Sequence, residues 1–175
     1  MLLERSGDGQ TATVLGAGDA PLASCDDAGR VVGADGSPLL SATFSFERGQ
    51  RSRPGEARVD VAGADGTAVG GLTVRRYTVT PFSKRLTLAL LAADGAEVGE
   101  LAPADKKGRE LVVTCGGSEA VRLELADRDR SLRRTVERYT LTAAAKPAPP
   151  ADMLAAAAVL RYGKIFSELS ARANR

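Results

Sequence analysis

The chain contains no histidine. That excludes Ser-His-Asp and Cys-His catalysis, HExxH zinc sites and imidazole proton shuttles. Cysteine is scarce: Cys25 and Cys115 are the only two, and they form no CxxC pair. A four-cysteine zinc site is impossible, and a disulfide scaffold would have one bridge at most. Neither sign of charge dominates, with 24 Lys plus Arg against 22 Asp plus Glu. A net charge of +2 does not point to a nucleic-acid partner drawn by overall charge. Long apolar runs are missing as well. The longest, Met153–Leu160, is far short of the about 20 residues a membrane-spanning helix needs. Glu4, Arg5 and Asp8 interrupt the N-terminal segment, so it has no apolar stretch of about 7–15 residues to serve as a secretory signal. The expectation is a cytoplasmic protein with both thiols reduced.

What is present reads as one globular domain. The chain has 175 residues, 43% of them hydrophobic and 26% charged. Apolar and polar residues alternate in short segments. Leu40, Ala42, Phe44 and Phe46 alternate with Ser41, Thr43 and Ser45, and Val121, Leu123 and Leu125 alternate with Arg122 and Glu124. Period-two spacing places one set on each face of a sheet. Asp8-Gly9, Asp35-Gly36, Asp65-Gly66 and Asp94-Gly95 separate such segments, and Asp-Gly suits the positive φ of tight hairpin turns. Val59–Leu72 matches Leu88–Leu101 at a constant offset of 29 residues, with a weaker third copy around Asp35. These signals predict successive hairpins closing into an antiparallel barrel. Arg48–Glu56 reads as a loop and residues 143–150 as an extended, proline-rich connector.

After the connector the character changes. Residues 151–170 are dominated by helix formers, with Asp152 as an N-cap or first-turn acid. Met153–Leu160 is apolar on every side, so protein should surround it. Arg161–Arg175 reads as amphipathic, with Ile165, Phe166 and Leu169 on one side and Arg161, Lys164 and Glu168 on the solvent side. Burying eight apolar helix residues is worth on the order of 10 kcal/mol before entropy. The domain is therefore expected not to fold without this helix.

Asp-Gly hairpins, the pattern Leu88–Leu101, the late strand Arg138–Thr142 and the segment Asp152–Phe166 occur in an order that resembles the superfamily of tubby C-terminal domains, phospholipid scramblases and plant LURP-one-related proteins. The resemblance spans roughly Leu2 to Leu169. It implies a mainly β fold, a closed antiparallel barrel of about a dozen strands around a C-terminal hydrophobic helix. Strands would fill residues 1–142, the connector 143–150 and the central helix 151–170. It also implies a non-enzymatic module that binds anionic lipid head groups and is peripheral at a membrane. No position matches a head-group motif closely enough to inherit a role.

The basic residues fall in three clusters. They are Arg75-Arg76 with Lys84-Arg85; Lys106-Lys107 with Arg109; and Arg128, Arg130, Arg133, Arg134 and Arg138. Arginine binds phosphate in bidentate fashion. The third cluster, opposed by Asp129 and Glu137, is the candidate lipid-binding set. No catalytic residue, cofactor or metal site is expected. Asp26-Asp27 and Asp127/Asp129 read as turns rather than calcium ligands, and Gly16-Ala17-Gly18 lacks the rest of a phosphate loop. Two other readings stand beside lipid binding: a protein-interaction scaffold, and a carrier enclosing a small apolar ligand.

Overall fold

The computed structural model describes residues 1–6, 9–46, 57–79, 84–130 and 135–173. Twelve strands form one closed barrel: β1 (Leu2–Ser6), β2 (Ala12–Leu15), β3 (Pro21–Cys25), β4 (Arg30–Gly33), β5 (Pro38–Phe46), β6 (Ala57–Gly63), β7 (Ala68–Val79), β8 (Lys84–Ala92), β9 (Glu97–Pro103), β10 (Glu110–Cys115), β11 (Ser118–Arg130) and β12 (Thr135–Ala143). Each strand pairs antiparallel with its neighbours in sequence. β12 closes on β1 from Leu2↔Thr140 to Ser6↔Val136. A helix, α1 (Ala151–Ala173), follows. The barrel and its C-terminal helix are as expected, with the last strand running one residue into the expected connector. The Arg48–Glu56 loop and Asp8 lie outside the described residues.

Alternation builds the wall. In β6, Ala57, Val59 and Val61 are buried while Arg58 and Asp60 are exposed. The inward set of every long strand joins one core with α1. A twelve-strand barrel is too wide for its own side chains to fill. The helix occupies the space, packing most closely against β7, β8 and β9. Leu154, Ala157 and Ala158 are fully buried, and the small alanines let strands approach. The enclosure is not uniform, because Ala156 is exposed.

Antiparallel succession divides the connections between two ends. At one, the turn end, lie residues 16–20, 34–37, 64–67, 93–96, 116–117 and 144–150, and α1 begins there. The ends of β1, β3, β5, β7, β9 and β11 point to the other, the rim end, which the C-terminal half of α1 reaches. The internal repeat is a repeated turn. In each of the three copies the Asp carboxylate accepts the amide two residues on at 2.9 Å, with Ser37, Thr67 and Ala96 as donors. The following glycines take φ of 79°, 82° and 84°. Asp-Gly chemistry reproduces one hairpin tip three times, and the strands between are free to diverge.

Candidate functional site

The polar residues of the interior come first, because the sequence reading missed them. Arg5 is 2% exposed and Arg161 is 1% exposed. Leu3 and Arg5 are the inward positions of β1. The Arg5 guanidinium donates to the Val159 carbonyl at 2.6 Å and lies over the rings of Tyr139 and Tyr162, 4.9 and 5.5 Å from their centres. Arg161 reaches the opposite way, from helix to wall. It donates to the carbonyls of Asp26 at 3.1 Å and Asp27 at 3.2 Å, on the β3–β4 connection. Neither has a carboxylate partner among the described residues, and the Nε of each has no hydrogen-bond acceptor. Buried cations are normally paired. Here carbonyls and π faces take that role and fix α1 to the barrel from both sides.

This corrects the expectation that Arg161 faces solvent. Leu154, Ala158, Arg161, Ile165 and Leu169 are all buried and recur at i, i+4, i+7, i+11 and i+15, one stripe of a helix. Arg161 lies on the stripe of Ile165, not opposite it. Lys164 is not solvated either: its side chain is 12% exposed and pairs with Asp27 at 2.9 Å and Glu168 at 3.1 Å. Burial pushes the Tyr139 phenol up to about 12 and the Tyr162 phenol higher still. Burial also raises the Cys25 thiol, outweighing the Arg161 guanidinium beside it. The thiol is thus not an activated nucleophile. Cys115 is likewise raised by burial and by Asp152. Among the described residues no group of three acidic or cysteine side chains could hold a metal ion.

On the outside, the basic clusters separate in kind. Of the sequence-predicted set around Arg128–Arg138, the two described side chains, Arg128 and Arg138, lie on opposite faces of the sheet. Arg128 pairs opposite Glu137 at 2.6 Å, on the side of the sheet that carries Tyr139. Arg138 pairs with Glu4 at 2.9 Å on the other side. The alternation of β12 puts neighbours 137 and 138 on opposite faces. The side chain of Arg130 and all of Arg133 and Arg134 lie outside the described residues.

The other two clusters meet at the rim end of β7–β10. A bulge between Val74 and Arg76 leaves Arg75 and Arg76 both exposed on the outer surface. Arg75 is taken by Glu97 and Glu100. Arg76 has no ion-pair partner among the described residues. Arg85 lies opposite Thr78 in the next strand, and its guanidinium donates to the Asp105 carbonyl at 3.4 Å, joining the β8 edge to the β9–β10 connection. That connection carries Lys106, Lys107 and Arg109, all exposed and, among the described residues, without ion-pair partners. Its one acid, Asp105, is turned inward on its own loop. It accepts the amides of Lys107 at 3.1 Å, Arg109 at 2.8 Å and Glu110 at 3.1 Å. Partial burial alone would raise this carboxyl, but those amides together hold it below the ordinary carboxylate range. The carboxylate shapes the loop through these amides, and none of the three cations forms an ion pair with it.

Among the described residues, grooves open on the outer wall. One of about 710 Å³ lies between the connector and the β9–β10 strands, and one of about 630 Å³ crosses β5–β8 over Gly70 and Gly71. Neither contains an unpaired cation of the rim. No protein-family model, no curated protein and no solved structure matches the chain.

Proposed function

We propose that the protein is a non-enzymatic binding module whose basic rim, Arg76, Arg85, Lys106, Lys107 and Arg109, docks on an anionic membrane surface. The observation that carries this reading is the meeting of two sequence clusters on one patch, where Lys106, Lys107 and Arg109 are exposed and the acid of their own loop, Asp105, is spent on backbone amides. Each Lys or Arg near an anionic membrane contributes about 1 kcal/mol. A patch of this size gives reversible, peripheral attachment. No helix of the described residues is long and apolar enough to cross a membrane. The resemblance to tubby- and scramblase-like domains supports the same assignment. A carrier role is disfavoured because α1 and its packing partners occupy the interior.

Flotation with purified protein tests this. Binding to phosphatidylserine-rich vesicles at low salt, lost at high salt and absent for phosphatidylcholine alone, is the expected result. Equal recovery with both vesicle types, or none with either, overturns it. The scaffold reading rests on a different observation. Leu22 and Leu39 are 45% and 44% exposed, Leu22 beside Gly16 and Leu39 beside Gly33 on the β3–β5 part of the wall. A stoichiometric protein partner lost in Leu22→Ser would favour that reading.

A further inference from the structure

We infer that the barrel meets its anionic surface end-on, rim end down, with its axis along the surface normal and its Asp-Gly turns directed away. This rests on the membrane reading above. It adds an orientation that the patch alone does not dictate, since a patch on the wall could also be reached by a barrel lying on its side.

The inference comes from the division of charge along the axis. All six connections of the turn end are described. They carry four acids, Asp19, Asp35, Asp65 and Asp94, against one side-chain cation, Lys146. The four carboxylates are exposed. The turn hydrogen bonds of Asp35, Asp65 and Asp94 come from neutral amides and hydroxyls, which leave the negative charge in place. Among the described residues of the rim end, exposed Asp129 stands in β11 and Asp127 accepts the Arg128 amide at 2.8 Å, and the acids of the connections are engaged by cations or amides. Asp26 pairs with Arg30 and Asp27 with Lys164, and Asp105 caps its loop. Among the described residues Arg76, Lys106, Lys107 and Arg109 are exposed cations of this end without an ion-pair partner.

Distance makes this asymmetry directional. The 23 residues of α1 run from one end to the other, which is about 35 Å. The Debye length in physiological salt is about 8 Å. With the rim end down, the turn-end carboxylates are several Debye lengths from the surface and feel almost none of its field. With the barrel on its side, Asp65 and Asp94, on the two turns that flank β7 and β8, come to the surface together with Arg76 and Arg85, and like charge meets like. Tilting away from end-on therefore loses the attraction of the β9–β10 loop and adds repulsion from the turns.

Cysteine placement supplies the test. Cys25 is buried and Cys115 is partly accessible at the turn end. A fluorophore on the native Cys115 reports on that end. The same fluorophore on Thr78→Cys in a Cys115→Ser background reports on the rim end, since Thr78 is exposed opposite Arg85. Phosphatidylserine-rich vesicles carrying a headgroup nitroxide serve as quencher. The expected result is severalfold stronger quenching at position 78 than at 115. Asp65→Asn and Asp94→Asn, which keep the turn acceptor, should leave vesicle partitioning within twofold of wild type. In a side-lying barrel each would raise it about fivefold. Equal quenching at the two positions, stronger quenching at 115, or a rise in the Asn variants overturns the orientation while binding itself stands. Absence of flotation with any anionic vesicle overturns both.

Discussion

The two ends of the barrel are built by different means. At the turn end, three hairpin tips use the same Asp-Gly geometry with contacts only two to four residues apart in sequence. At the rim end, order comes from contacts across the chain. Arg5 holds Val159, Arg161 holds Asp26 and Asp27, and the Tyr77 hydroxyl meets Ser170 at 3.0 Å. The difference teaches where each kind of information resides. Local chemistry gives a regular, negatively charged end that tolerates change. Long-range chemistry gives an end where the helix is seated and where the unpaired cations are displayed.

The same substitution made at both ends should expose the contrast most strongly. A Cβ on Gly9 would lie 2.3 Å from the Gly163 carbonyl carbon of α1, and the residue has φ +70°. Gly9→Ala should cost about 4 kcal/mol or more, read by urea unfolding. Gly36 has φ +79° and nothing within 4 Å. Gly36→Ala should cost only the left-handed backbone penalty, about 1–2 kcal/mol. Similar losses at the two sites would erase the distinction. The close approach also explains Gly163, the single glycine of α1.

The buried arginines come next. Arg161→Ala leaves the carbonyls of Asp26 and Asp27 without that donor and empties core volume, so a loss of about 3 kcal/mol is expected. Arg161→Met keeps the stem and removes the buried charge, and it should recover part of that loss. If Met is as damaging as Ala, the guanidinium contacts are what hold the helix.

Alkaline titration is a milder probe of the same region. The Tyr139 phenol is raised from 10.0 to about 12 and Tyr162 further. The fold thus favours the neutral phenols. Their contribution is complete below pH 10 and is lost as pH rises through the folded values. Phenolate absorbance of Tyr139 should lag, so Tyr139→Phe should remove a late step near pH 12. A Tyr139 step at pH 10 would show that the rim end is open to water.

The smallest effects belong to exposed pairs. Arg138→Ala removes the bond to Glu4 on the outer wall, where both side chains are solvated. Its melting temperature should match wild type within error.

The strands, the Asp-Gly turns and the helix were legible because their patterns are local and periodic. Arg161 belongs to the buried stripe by its i+7 spacing from Leu154, although its charge alone suggests a solvent-side position. Arg5 carried a similar signal, two residues after Leu3 in a strand. The candidate cluster around Arg128–Arg138 rests on the linear density of arginine. For its two described side chains that density is a poor guide, because alternation sends Glu137 and Arg138 to opposite faces and the register delivers Glu4 as a partner to Arg138. The meeting of Arg85 with the β9–β10 loop needed the sheet order, which no single segment encodes.

Vesicle partitioning of two charge variants tests the central claim most directly. One carries Lys106→Gln, Lys107→Gln and Arg109→Gln; the other carries Arg128→Gln and Arg138→Gln. Loss of salt-sensitive binding in the first, with the second within twofold of wild type, is the predicted result. Binding retained in the first and lost in the second would contradict it and return the site to the β11–β12 arginines.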